Sequence, residues 1–144
     1  MLCAGAAAEA IECAQCEAWN KDQAPFRIFG NTYYVGTHGL SAVLVTSPDG
    51  HVLIDGALPQ SAPLIAQHVE QLGFRLSDVK VILNSHVHFD HAGGIAELQR
   101  LSGAKVIASE RAASVLRTGQ AAAARAFREK ARERETIGKV VTRE

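Results

Sequence analysis

The stretch that most constrains this chain is His86-Val87-His88-Phe89-Asp90-His91, which runs into Ala92-Gly93-Gly94. Four side chains able to bind a metal fall within six residues. In an extended loop alternate residues point the same way, which aims the His86 and His88 imidazoles at one point and turns Val87 and Phe89 into the core. Two convergent neutral imidazoles make half of a zinc site. If the chain turns into a helix near Ala92, Asp90 and His91 lie at the turn and face a second point nearby. The pattern describes a two-metal site.

The flanking residues agree with that placement. Val79-Lys80-Val81-Ile82-Leu83-Asn84 is a short, mostly apolar and β-branched run that predicts a buried strand, ended by Ser85. After the cluster, Ile95, Leu98 and Leu101 are spaced for one helical face, and Gly103 stops the helix. The cluster therefore falls at the carboxyl end of a strand and before a helix, where open α/β sheets place their active sites.

His-x-His-x-Asp-His resembles the signature of the metallo-β-lactamase superfamily, which also holds glyoxalase II-like thioesterases, lactonases and nucleases. A longer stretch narrows the resemblance: Gln23-Ala24-Pro25-Phe26-Arg27-Ile28-Phe29-Gly30-Asn31-Thr32-Tyr33-Tyr34-Val35-Gly36-Thr37, then Leu40 to Thr46, then Val52-Leu53-Ile54-Asp55-Gly56. These are similar to class B β-lactamases of the third subclass, in which a zinc-binding His follows the Asp, as His91 does here. The resemblance covers roughly residues 16–119.

It implies an α/β (α+β) fold, the αβ/βα sandwich built from two similar halves, of which these residues supply the first. It also implies two zinc ions, one on His86 and His88, the other on Asp90 and His91. Asp55 would support them from beneath, although most members carry a second Gly where this chain has Ala57. The implied reaction opens the β-lactam ring of an antibiotic with a metal-bound hydroxide, Asp90 orienting that nucleophile. The family draws its remaining zinc ligands from later histidines, whereas His91 is the last of the six in this sequence. Three expectations follow: a class B β-lactamase in truncated or frameshifted form, another hydrolase of the superfamily such as a lactonase or thioesterase, or a non-catalytic zinc-binding fragment. The first is the reading adopted for what the sequence encodes, and for the chain's own activity the third is favoured. A half-sandwich would also leave sheet faces uncovered and able to drive oligomers.

The rest of the chain fills in around the site. Composition, 47% hydrophobic and 21% charged, indicates one soluble domain. The 15 basic and 15 acidic residues cancel, so no global field recruits nucleic acid or an anionic membrane. No apolar run approaches the roughly 20 residues of a membrane span. Residues 1–15 read as a signal remnant or a flexible N-terminus, lacking a basic start and an apolar core. Periplasmic or secreted location is implied by the resemblance alone. Cys13-Ala14-Gln15-Cys16 suits a small disulfide in an oxidising compartment or two free thiols in the cytosol.

Phe26 to Ile28, Thr32 to Val35, Ala42 to Thr46 and His51 to Ile54 predict an antiparallel meander with turns at Gly30-Asn31 and Ser47-Pro48-Asp49-Gly50. Ser61 reads as the cap of a helix with Pro63 in its first turn and Leu64, Ile65, Val69 and Leu72 on one face, ending at Gly73. His68 on that helix is expected to face solvent; His38 and His51 are expected to be structural or surface residues. Lys105 to Ala108 predicts a strand, and Ser109 to Leu116 a helix. Residues 120–144 then change character, with seven basic and four acidic side chains and few apolar ones. They predict an exposed charged helix carrying an Arg125/Glu129 pair, without the aromatics of a nucleic-acid surface.

Overall fold

The computed structural model describes residues 10–118. The expectations for residues 1–9 and for the charged segment 120–144 lie outside these residues.

The predicted meander forms. β1 (Phe26–Phe29), β2 (Thr32–Tyr34), β3 (Val43–Val45) and β4 (His51–Ile54) pair antiparallel in sequence order. β5 (Val79–Leu83) and β6 (Lys105–Ile107) then add in parallel, giving a six-stranded mixed sheet of order β1-β2-β3-β4-β5-β6. A parallel pair needs a crossover, and two helices provide them: α2 (Ala62–Gln71) between β4 and β5, and α4 (Ile95–Ser102) between β5 and β6. The short α1 (Cys16–Trp19) precedes the sheet, α3 (Phe89–Ala92) lies between β5 and α4, and α5 (Glu110–Thr118) follows β6.

Register explains which face is buried. Tyr33, Leu44, Leu53, Ile82 and Val106 are successive cross-strand partners. Leu44, Leu53 and Ile82 in this row are fully buried and share the core with Ile65 and Val69 of α2 and Leu98 of α4. One residue along, Phe26, Tyr34, Val43, Ile54, Leu83 and Ile107 form the row on the opposite face. There Phe26 is 48% exposed, Ile107 46% and Leu83 37%. Because strand side chains alternate, covering one row with helices leaves the next one bare.

Several residues depart from expectation. Phe89, expected in the core, is 37% exposed: the backbone is already helical from Phe89, so the alternation of an extended loop ends before it reaches that residue. Leu101 is 42% exposed, whereas Ile95 and Leu98 are buried. Steps of three residues fall about 60° short of a full helical turn, so the second step carries Leu101 away from the face Ile95 occupies. Gly103 stops α4 as expected, in the left-handed conformation at φ 73°.

Ser61 precedes α2 without capping it through its side chain. Its hydroxyl accepts from Leu58 N–H at 3.2 Å and donates to Asn20 Oδ1 at 2.6 Å, which ties the loop after β4 to the N-terminal segment.

His68 is the largest departure. It is 1% exposed, with Nδ1 3.0 Å from the Val35 carbonyl and Nε2 2.8 Å from Asp22 Oδ1. Both partners are acceptors more than thirty residues away in sequence, so the helix buries a polar side chain that its own neighbours could not have placed. His51 packs edge-on against Phe74, with ring centroids 5.3 Å apart, and His38 is exposed, both in keeping with the expected structural or surface roles. Cys13 and Cys16 are joined in a disulfide, the first of the two alternatives left open by their spacing.

Candidate metal centre

β5 delivers the ligand stretch. Beyond Leu83 the chain leaves the sheet, and from Ser85 to His88 it runs without regular structure before α3 begins. The His86 and His88 rings meet edge to face, with centroids 4.0 Å apart and planes at 75°. The His91 ring lies 5.4 Å from that of His86, and its Nε2 is 3.6 Å from Asp90 Oδ2. The four side chains therefore lie as two adjoining pairs, His86 with His88 and Asp90 with His91.

Asp55 lies beneath them. It ends β4, is 6% exposed and holds φ at 62°, a left-handed conformation that aspartate tolerates better than most residues. Its Oδ1 accepts from Ser85 N–H at 2.8 Å and from Asn84 Nδ2 at 3.3 Å; its Oδ2 accepts from the Ser85 hydroxyl and from His91 Nδ1 at 3.0 Å. A proton held on His91 Nδ1 leaves Nε2 with a bare lone pair, the form in which histidine binds a metal. Asn84 and Ser85 are the functional neighbours that sequence reading passed over, taking one as strand and the other as its end. Their signal was available: two polar residues between an apolar strand and the ligands.

The loop after Asp55 is tied to the turn that carries His91 and to the start of α4. Gly56 N–H donates to the His91 carbonyl at 2.8 Å, and Gly94 N–H to the Ala57 carbonyl at 3.2 Å. Ala57 also holds a left-handed conformation, φ 52°, while completely buried. A Cβ in that region costs roughly 1–2 kcal/mol, part of which glycine returns as entropy of the unfolded chain. Ala57→Gly is expected to stabilise the fold by about 0.5–1 kcal/mol, read as a higher urea midpoint at unchanged slope. A lower midpoint would mean that packing of the methyl group outweighs its strain.

The side chains suit zinc in kind: imidazoles, one of them hydrogen-bonded to the Asp55 carboxylate, beside the Asp90 carboxylate. Among the described residues, however, no three His, Cys, Asp or Glu side chains group so as to hold one ion. What the described residues bring together is two pairs of donors, His86 with His88 and Asp90 with His91.

The sequence profile described as the metallo-β-lactamase superfamily matches residues 35–142, so the chain belongs to that superfamily. The matched span runs past residue 119 into the segment set apart by its charge. Among solved structures, MEM-A1, a subclass B3 metallo-β-lactamase isolated from a soil metagenome library, is 70% identical with a TM-score of 0.70, over 71% of this chain and 39% of that one. Among curated proteins, the probable metallo-hydrolase YflN of Bacillus subtilis (strain 168) is 38% identical over 74 residues, 44% of this chain and 27% of its own length. A hydroxyacylglutathione hydrolase of Rhodopseudomonas palustris (strain BisB5) is 37% identical over 65 residues, 45% of this chain and 24% of its own. The chain thus spans less than half the length of each of these relatives.

Proposed function

We propose that the chain carries the metal-anchoring half of a zinc-dependent β-lactamase of the subclass B3 kind, which opens the lactam ring of β-lactam antibiotics and so confers resistance. The observation that carries this reading is the cluster of His86, His88, Asp90 and His91 over Asp55. It occurs in a chain 70% identical, where the two align, to a subclass B3 enzyme.

In this reading His86 and His88 hold one zinc, and Asp90 and His91 the other. Bound there, zinc supplies Lewis acidity towards the lactam carbonyl and lowers the pKa of water at the site. The protein's own residues do the positioning: Asp55 keeps His91 Nε2 available, and the Asp90 carboxylate orients the attacking water. The Cys13–Cys16 disulfide supports a periplasmic or secreted location, since oxidising compartments preserve such links. Among the described residues no helix is long and apolar enough to cross a membrane. Balanced charge gives no reason for nucleic acid as a partner. The bare row of Phe26, Leu83 and Ile107 is where copies of the chain would associate.

Catalytic zinc normally takes three protein ligands, and the described residues offer two per ion. The 144-residue chain by itself is therefore expected to hold substoichiometric zinc and to hydrolyse a chromogenic cephalosporin only faintly, the residual rate being abolished by a chelator. Zinc content and turnover are measured on one sample, with light scattering to read association. Nearly two zinc ions per chain with vigorous turnover would mean that other groups complete the ligand shells. The substrate is tested by grafting residues 16–119 in place of the matching part of a complete subclass B3 enzyme and assaying lactams, lactones and thioesters. Chelator-sensitive lactam hydrolysis is expected. A thioesterase is the second reading, favoured by the 37% identity to a hydroxyacylglutathione hydrolase; a graft that cleaves thioesters and spares lactams would establish it instead.

A further inference from the structure

We propose that Asn84 is a positioning residue that ties the two ligand pairs to each other. The inference rests on the zinc reading and deepens it.

Asn84 is the first residue beyond β5, and its N–H still donates to the Ile107 carbonyl of β6 at 2.8 Å, so its backbone is held by the sheet. Its side chain is 6% exposed. The amide nitrogen donates in two directions, to the His86 carbonyl at 2.6 Å and to Asp55 Oδ1 at 3.3 Å. Both partners can only accept, which settles the orientation of the amide: turned over, its oxygen would confront two other oxygens. The consequence is a cost. Asn84 Oδ1 is buried without a hydrogen-bond partner, alone in this among the buried side-chain polar atoms of the described residues. A buried acceptor left unpaired is unfavourable and calls for a compensating role.

The two donated bonds supply that role. One grips the peptide that carries His86 into Val87 and His88. The other grips the carboxylate whose far oxygen holds His91 Nδ1. The α3 turn already joins the pairs through its backbone, since His91 N–H donates to the His88 carbonyl at 3.0 Å. The Asn84 amide adds a second, side-chain link, from the His86 peptide through Asp55 to the His91 ring. With two such links, the separation of the His86/His88 pair from His91 is fixed rather than hinged.

The test uses the 144-residue chain and three substitutions: Asn84→Ala removes both bonds, Asn84→Asp keeps the shape but sets oxygens against the two acceptors, and Asn84→Ser keeps a short donor. Affinity is read by titrating zinc, and separately cobalt(II), against a chromophoric chelator. Imidazole NMR shifts of His86 and His91 are read without metal. Asn84→Ala and Asn84→Asp are expected to lower zinc affinity by roughly tenfold or more, the range for groups that orient metal ligands, and to shift both imidazoles in the apo chain. Asn84→Ser is expected to recover part of the affinity. Wild-type affinity with unmoved His86 and His91 signals in the folded Ala and Asp variants would overturn the proposal, whatever happens to the melting temperature, which a merely structural residue would also change. If Asn84→Ala does not fold, the isosteric Asp variant decides. Failure of the wild-type chain to take up zinc or cobalt would sink the zinc reading separately, and the apo imidazole shifts would still decide on Asn84.

Discussion

Asp55→Asn is expected to lower zinc affinity by roughly 10- to 100-fold while leaving the chain folded. Asparagine is nearly the same size as aspartate and accepts the left-handed φ of 62° at this position, so the backbone keeps its course. What changes is the hydrogen-bond count. The carboxylate receives four donors, Ser85 N–H and Asn84 Nδ2 on one oxygen, the Ser85 hydroxyl and His91 Nδ1 on the other. An amide must present NH2 to one of these pairs. Ser85 N–H and Asn84 Nδ2 cannot become acceptors, whereas a hydroxyl can rotate and an imidazole can move its proton. The NH2 therefore takes the side of Ser85 Oγ and His91, and His91 answers by carrying its proton on Nε2. That nitrogen is then closed to a metal. Nitrogen-15 NMR of the apo variant should show the tautomer change at His91 with His86 and His88 little altered, and a chelator-competition titration should show the weaker zinc binding. Unchanged zinc affinity would mean that Asp55 serves only the turn at the end of β4.

How much of this was legible in the sequence follows from how far apart the deciding partners lie. The candidate ligands sit within six residues on a strand-to-helix connection, so local geometry was enough to foresee that their side chains would lie near one another. Asp55 was legible for a different reason: it ends an apolar strand, and the resemblance gave it a place beneath the metals. The hairpins, with Gly30-Asn31 and Ser47-Pro48-Asp49-Gly50 at their turns, were local as well. His68 was not. On its helix it occupies an ordinary polar position, and only the distant Asp22 carboxylate and Val35 carbonyl make burial tolerable. Asn84 was legible only in part: its polar side chain between an apolar strand and the histidines was a local signal, whereas the Asp55 carboxylate it also reaches lies far off in the sequence. Ser61 shows the limit from the other side. The residue type suited a cap, yet Asn20 and Leu58 took its hydroxyl, since a tertiary partner competes with the local one on equal terms.

Gly94→Ala is expected to be the most damaging single methyl group that can be added near the site, lowering stability by about 3 kcal/mol and impairing zinc uptake together. Gly94 has an ordinary helical backbone, φ −85° and ψ −6°, so conformational freedom is not what it provides. It provides space. A Cβ there would lie 2.2 Å from the Gly56 carbonyl oxygen and 2.9 Å from that of Leu58. Both obstacles are backbone, pinned by the bonds from Gly56 N–H to the His91 carbonyl and from Gly94 N–H to the Ala57 carbonyl. Neither can swing aside as a flexible side chain would, so α4 and the 56–58 loop must separate, at the upper end of the 1–3 kcal/mol typical of overpacking. That loop follows Asp55 directly, and moving it draws the carboxylate away from His91 Nδ1. Gly73→Ala provides the contrast: Gly73 faces open space but holds φ at 84°, so its cost of roughly 1–2 kcal/mol is conformational and remote from the ligands. Urea unfolding should therefore register both variants, whereas zinc competition should register Gly94→Ala alone. Equal zinc affinity in the two would show that the close approach of α4 to the 56–58 loop supports the fold without setting the ligand geometry.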